Sequence, residues 1–249
     1  MIRFYIAALL ITSSSVSGLQ LTEDSAVVDT KKKKGSMVIA SRVHTMGLFL
    51  YMGRVVNYNP ATDLYFNYTT NKGWGISAFK AADVNDIHSS NNFAFAFVSK
   101  TFHIGDRLVI APYLGAGLEQ QHGFANHGSD LMFQLQSSFR LNKKLSIELI
   151  GIFNNLIFAT EHQDWTNRLR LLFNNGHWDL IGMVWSNNGI FDEATYTSGG
   201  LSAFYNRIPL SKRLSMGVGL TSLSTFHSSN VEHTPKPSGL QFSTTVTFK

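Results

Sequence analysis

The sequence contains no cysteine among its 249 residues. Disulfide bonds, thiolate metal sites, cysteine nucleophiles and a lipid-modified N-terminal cysteine are therefore excluded. Charged residues are also scarce, at 15% against about a quarter in ordinary soluble domains. Aromatic residues reach 12%, and phenylalanine alone numbers 19. A surface with so little charge indicates that something other than water covers much of the folded chain.

Long apolar runs are missing as well. No segment of the mature chain offers the roughly 18 consecutive apolar residues that a membrane-spanning helix needs. A closed β-barrel is the other structure that crosses a bilayer with every main-chain group paired. The composition therefore favours a barrel, and a soluble β-sandwich is the structural alternative.

The first 36 residues resemble an export signal followed by a polar tail. A basic start at Arg3 precedes an apolar stretch, and small or polar residues up to Gly18 end it. This order is typical of a secretory signal peptide, so we predict a signal over 1–18. Residues 19–36 then form a flexible periplasmic tail. We interpret its basic run Lys31–Lys34 as solvated and predict no nucleic-acid partner.

From residue 37 onward, apolar and polar residues alternate in segments of about ten, as in barrel strands. In the clearest segment, Asp130 to Leu141, leucine and phenylalanine share one face while glutamine, serine and arginine share the other. We predict an all-β domain over 37–249, a transmembrane antiparallel up-and-down β-barrel of about twelve strands. The predicted strands lie near 37–55, 63–70, 74–82, 92–103, 107–119, 130–141, 145–157, 165–174, 178–187, 197–208, 212–226 and 239–248.

The predicted connections alternate in length, as they do between the periplasmic and outer ends of such barrels. Short turns lie at Asn71–Gly73, Ile104–Asp106, Asn142–Lys144, Asn174–Gly176 and Pro209–Ser211, and we assign them to the periplasmic side. The longer polar loops at 83–91, 120–129, 158–164, 187–196 and 227–238 then face outward.

The first predicted strand is irregular, because apolar residues between Met37 and Val56 follow one another almost without alternation. The segment fits one long strand, a strand with a short helix, or a plug folded into the barrel. The strand count is then ten or twelve, and a narrower barrel is filled by its own side chains.

Several charged residues lie on the polar faces of the predicted strands. Arg140, Arg168 and Arg170 are predicted to line the lumen, Lys100 is assigned to the same side, and Glu148 is the clearest acid. A basic lumen favours anions. In architecture the chain resembles twelve-stranded bacterial porins that pass acidic sugars through an arginine-lined channel. The same charges could instead pair across the lumen to plug or stiffen the barrel.

A second pattern lies near the C-terminus, where His227-Ser228-Ser229-Asn230 precedes a proline-containing loop and the pair Gly239-Leu240. This segment resembles the lipid A deacylase (acyloxyacyl hydrolase) family, whose outer-membrane barrels carry a His-x-Ser-Asn motif on the penultimate strand. The resemblance implies acyl-ester hydrolysis in which His227 is the base for Ser229 and Asn230 positions the oxyanion. Gln241 occupies the position of the family's acid. Alternation from Leu214 onward predicts that His227 and Ser229 face the lumen.

These observations predict a protein of the bacterial outer membrane whose partners are outer-membrane lipids and the barrel-insertion machinery. We predict no cofactor and no metal, because the histidines lack metal-ligand spacing. The leading hypothesis is a small-solute channel, with anions as the favoured solutes, or a structural membrane protein. The alternative is a lipid A or phospholipid acyl-ester hydrolase, so the sequence leaves open whether the chain is an enzyme.

Overall fold

The structure is a computed structural model that describes residues 35–49, 53–85, 93–120, 131–154, 156, 164–190, 194–229 and 238–248. The predicted signal peptide, nearly all of the predicted tail and most of the predicted outer loops lie outside these residues, so the predictions for them stand as predictions. Among the described residues, no helix is long and apolar enough to span a membrane.

The described residues form strands, which we number β1 to β15 in chain order. Their bounds are β1 (Ser36–His44), β2 (Gly47–Phe49), β3 (Arg54–Asn57), β4 (Ala61–Thr69), β5 (Trp74–Asp83), β6 (Phe93–Lys100), β7 (Phe102–Ile104), β8 (Leu108–Gln120), β9 (Leu131–Arg140), β10 (Leu145–Asn154), β11 (Asp164–Asn174), β12 (Trp178–Ile190), β13 (Ala194–Pro209), β14 (Leu214–Ser228) and β15 (Ser238–Phe248).

Antiparallel pairing closes most of these strands into one barrel. The first and last wall strands meet where Ile39 of β1 lies opposite Phe248 of β15. Strand β6 pairs with both β5 and β8, and β7 continues β6 after a break at Thr101. With β6 and β7 taken as one strand, the wall has twelve strands, and the predicted fold class is confirmed.

Short turns join the wall strands at one end of the barrel, close to where the sequence predicts them. They span 70–73, 105–107, 141–144, 175–177 and 210–213. The turn after β11 shows the local cause, since the Asn175 side-chain oxygen accepts a 2.8 Å hydrogen bond from the Trp178 amide. Gly176 in this turn has a φ of 97°, a conformation that glycine adopts without steric cost.

The outward face of the wall is apolar. Leu64, Leu114, Leu149, Leu201 and Phe242 are each at least half exposed, and Leu201 reaches 70%. Trp74 and Trp178 lie at the turn end and Trp165 at the opposite end, which is the arrangement of an aromatic girdle at the two membrane interfaces. Such a belt is stable in contact with lipid.

Strands β2 and β3 do not join the wall but pair with each other as a small separate hairpin. Here this unit, residues 47–49 and 53–57, is called the inner hairpin. Met46 beside it and Val55 within it pack on Trp185 and Leu223 of the wall in one buried apolar cluster. Of the three forms considered for the segment from Met37 to Val56, the structure has the inward-folded plug in its later part, after a wall strand that ends at His44. Because the plug is buried on several sides, its apolar residues do not alternate.

Candidate functional site inside the barrel

The inward face of the wall is mostly polar. Along β9, Gln134, Gln136 and Ser138 are buried, while Leu135 and Phe139 between them are exposed on the outward face. The same alternation recurs on the other long strands. Buried polar side chains there include Thr166, Asn187, Ser198, Ser202, Thr221, Ser243 and Thr245. A polar interior under an apolar exterior is the pattern of a membrane barrel that can hold water or solute.

Three of the residues predicted to line the lumen, Glu148, Arg168 and Arg170, lie close together in the structure. Glu148 is 2% exposed, and its Oε1 accepts a 2.5 Å hydrogen bond from Nε of Arg170. The nearest guanidinium nitrogen of Arg168 lies 3.7 Å from the same oxygen. Gln136, which sequence reasoning did not single out as a site residue, donates a 2.7 Å hydrogen bond to the other carboxylate oxygen. Two guanidinium groups therefore lie around one carboxylate inside the barrel.

Arg140 lies on the same face of β9 as Gln136 and Ser138, at the turn end of the strand, where it is opposite Ser146. Its side chain is half-buried. Arg140 therefore stands apart along the barrel axis from the Glu148 cluster, which lies further toward the outer end.

A second polar cluster lies nearer the outer end of the barrel. Arg42 contacts Asp63 through Nε and Nη2, each at 3.1 Å. The His44 ring bridges Asp63, at 2.9 Å, and the Ser243 hydroxyl, at 2.8 Å. Sequence reasoning missed this cluster. The available signal was the two-residue spacing of Arg42 and His44 in an otherwise apolar segment.

This second cluster contains the residue types of a hydrolytic triad, but its surroundings give it an anchoring role. Asp63 is already neutralised by Arg42, and the side chains of the cluster are at most 8% exposed. The chain of hydrogen bonds continues from Ser243 to Gln241 at 3.3 Å. Gln241 then donates a 2.7 Å hydrogen bond to the Met46 carbonyl, which holds the base of the inner hairpin.

The inner hairpin is fixed on the part of the wall formed by β12 to β15. Ser198 of β13 donates a 2.6 Å hydrogen bond to the Gly53 carbonyl. Beyond β3, the Tyr58 hydroxyl donates a 3.2 Å hydrogen bond to the Ser238 carbonyl. In the order of the twelve wall strands, β5, β6, β8 and β9 face this side across the barrel. The hairpin therefore occupies part of the cross-section of the lumen on the side of β12 to β15.

The residues of the predicted hydrolase motif face outward, so the prediction that His227 and Ser229 point into the lumen is wrong. The register of β14 shifts at Phe226, because Ser198 pairs with Thr225 whereas Thr197 pairs with His227. This bulge reverses the alternation beyond it. His227 and Ser229 are both exposed.

In the structure, His227 and Ser229 do not form a catalytic pair. The Ser229 hydroxyl accepts a 2.9 Å hydrogen bond from the Thr195 amide, and no hydrogen bond joins it to the His227 ring. Gln241 is 2% exposed and faces the opposite side of the wall. The third motif residue, Asn230, lies outside the described residues.

Lys100 also faces outward, so its assignment to the lumen is wrong. Its ammonium group lies 5.2 Å from the centre of the Trp74 ring, which is 54% exposed at the turn end. The same group donates a 2.5 Å hydrogen bond to the Lys72 carbonyl. A long lysine side chain that reaches the membrane interface is expected at such a position.

The part of the chain that the structure describes contains no group of three His, Asp, Glu or Cys side chains placed to hold a metal ion.

Comparison with known proteins finds solved structures that are similar to this chain in fold. No known protein family and no curated protein matches the sequence. Among solved structures, the KdgM porin in complex with disordered oligogalacturonate is similar, with 9% identity and a TM-score of 0.57 over 85% of this chain and 98% of that chain. The KdgM porin itself is similar at 10% identity and a TM-score of 0.55, over the same shares of the two chains.

The fold is thus that of bacterial outer-membrane porins, and the prediction of an outer-membrane barrel is confirmed. The comparisons give no support to the resemblance to lipid A deacylases.

Proposed function

We propose that the protein is an outer-membrane channel that passes small organic anions. The observation that carries this proposal is the cluster of Arg168, Arg170 and Glu148 inside the barrel, in which two positive charges surround one negative charge. Arginine stays ionised in protein environments, so both positive charges persist at any physiological pH. Charged side chains that line a narrow pore select for ions of the opposite sign.

The packing around these arginines supports a role in the passage of solutes. Gln136 holds Glu148, and Glu148 in turn holds the Arg170 side chain, which is 3% exposed, so the positive charges are fixed just beneath the inner surface and act on a passing anion by electrostatic attraction. The inner hairpin narrows the lumen and thereby favours small solutes over large ones. The fold also supports the proposal, because one of the similar porins is in complex with oligogalacturonate, which is an anionic oligosaccharide.

The test is the ion selectivity of the purified protein in planar lipid bilayers under a gradient of potassium chloride. We expect a reversal potential that shows preference for chloride, and a double variant Arg168→Gln/Arg170→Gln that loses most of this preference. Arg213→Gln is the matched control, because Arg213 lies exposed in the turn 210–213 and should leave selectivity unchanged.

A structural membrane protein would give a different result. If the charges only stiffen the barrel, the folded wild type will show no conductance, and the double variant will lose stability without any change in permeability. Either this absence of conductance or a preference for cations would contradict the proposal.

A further inference from the structure

An apolar strip runs along one part of the otherwise polar interior. Its members are Phe79 of β5, Phe93, Phe95 and Phe97 of β6, and Tyr113 of β8, and we call them the aromatic strip. They face inward, because Val98 and Leu114, which alternate with them, are 50% and 51% exposed on the lipid side. The strand register supports this inward orientation, because Phe79 of β5 lies opposite Phe95 of β6.

The rings of the aromatic strip form a continuous series. Along β6, the ring centres of Phe93 and Phe95 lie 5.4 Å apart, and those of Phe95 and Phe97 lie 6.3 Å apart. Tyr113 extends the series edge-on, 6.3 Å from Phe97. Phe93 is near the outer end of β6, and Tyr113 lies nearer the turn end of the barrel. The strip therefore runs from the outer end toward the turn end.

Phe97 lies flat on the wall at a position where the opposite residue has no side chain. Gly115 pairs with Phe97, and a Cβ at Gly115 would overlap the Phe97 ring. One face of this ring therefore covers the backbone, and the other face is directed to the interior. Phe79, Phe95 and Phe97 retain partial exposure, whereas Phe93 is buried.

The strip lies on wall strands that face the inner hairpin across the barrel. It ends near the cationic cluster, because Tyr113 lies opposite Gln134 of β9, two residues along the same inward face from Gln136, which donates a hydrogen bond to Glu148. A solute that entered from the outer end along this wall would therefore meet aromatic faces first and the positive charges next.

From this arrangement we infer that the channel binds organic anions with a flat aromatic body, which stacks on the strip while its anionic group is attracted by the positive charges of Arg168 and Arg170. The inference rests on the proposed anion channel and names its class of solute. Aromatic rings gain energy from stacking beyond the area that they bury. Phenylalanine offers no hydrogen bonds, so a hydroxyl group that faces the strip would lose its bond to water without compensation. This condition favours an aromatic anion over a sugar acid.

The test uses block of the chloride current through the wild-type channel in planar bilayers. Benzenesulfonate, methanesulfonate and glucuronate are added singly to the outer side, and the concentration that halves the current is measured for each. Sulfonates stay ionised and do not cross the lipid as neutral acids. We expect benzenesulfonate to block at a concentration about three- to tenfold below that of methanesulfonate, which is the range that one or two ring contacts supply.

Two variants test whether the aromatic strip causes the stronger block by benzenesulfonate. Phe95→Leu/Phe97→Leu retains apolar volume and folding but removes two rings, and it should bring the two sulfonates to equal blocking concentrations. Val98→Leu is the matched control, since Val98 belongs to the same strand and faces lipid, and it should behave as the wild type.

The outcomes separate this inference from the proposed function. A folded wild type without chloride current refutes the channel itself. A chloride current with equal block by both sulfonates, or an aromatic preference that survives in the double variant, leaves the channel intact and overturns the strip as a binding surface. Stronger block by glucuronate than by benzenesulfonate would also overturn the inference and would indicate a sugar acid instead.

Discussion

The Ser198 hydroxyl donates a 2.6 Å hydrogen bond to the carbonyl of Gly53, and this bond joins the inner hairpin to a wall strand 145 positions further along the chain. Gly53 has a φ of 64°, and a Cβ at this position would overlap the Trp185 indole. Only glycine satisfies both conditions, so this residue determines how closely the hairpin approaches the wall.

We therefore expect Gly53→Ala to displace the inner hairpin and to raise single-channel conductance. The left-handed backbone conformation alone costs a residue with a Cβ about 1 kcal/mol, and the overlap with Trp185 adds to this. Gly105→Ala is the matched control, because Gly105 has a φ of 61° in a turn and nothing lies within 4 Å of an added Cβ. Equal conductance in the two variants would show that the hairpin does not limit the pore.

Asp63→Asn tests the cluster that anchors the base of the hairpin. Arg42 is 4% exposed and would lose its counter-charge, and breaking a buried ion pair by removal of one partner costs about 3–5 kcal/mol. We expect a loss of that order in the free energy of unfolding, measured by urea titration of the protein folded in lipid vesicles. Asp106→Asn, in an exposed turn, should change it little. A small effect of Asp63→Asn would mean that water reaches Arg42.

Leu201→Arg tests the lipid-facing belt. Leu201 is 70% exposed near the middle of β13, and an arginine at the bilayer midplane destabilises a barrel by about 2–4 kcal/mol. Leu210 lies in the turn that joins β13 to β14, outside the hydrocarbon layer. Leu210→Arg should therefore lower the free energy of unfolding by at most about 1 kcal/mol. Equal losses of unfolding free energy in the two variants would contradict the assignment of the outward face to lipid.

Ser229→Ala tests the hydrolase alternative. We expect mass spectrometry of lipid A and phospholipids to give the same profile for cells that express the wild type and the variant. The reason is that the Ser229 hydroxyl is bonded to the Thr195 amide and Gln241 faces the other side of the wall. Both proteins must first be shown to be folded in the outer membrane. An acyl chain that disappears only with the wild type would establish an esterase.

The strands and turns could be predicted because their cause is local. Period-two alternation identifies each wall strand from β4 onward, and residues such as Asn175 and Gly176 specify turns by themselves. The inward position of Glu148, Arg168 and Arg170 follows from the same alternation. Their mutual contact follows from register, which places Glu148 opposite Arg170.

The remaining features depend on contacts between distant parts of the chain. The inner hairpin is specified by Trp185, Ser198 and Gln241, all more than 120 positions away, so the segment from Met37 to Val56 carries no periodic signal. The bulge at Phe226 has a similar origin. Phe226 packs over Gly199 of the neighbouring strand, and nothing in β14 alone marks the shift of register.

The position of the inner hairpin also sets an order of events during assembly. Most of its partners lie on β12 to β15, the last strands to be synthesised and exported, and the ring closes only when β15 reaches β1. Closure of loops this long is entropically costly and slow relative to local pairing. The hairpin therefore docks after the C-terminal strands have arrived. An intermediate in which the hairpin has not yet docked would have a wider lumen than the finished protein, and a chain truncated before β15 would lack the Gln241 bond that holds the base of its own plug.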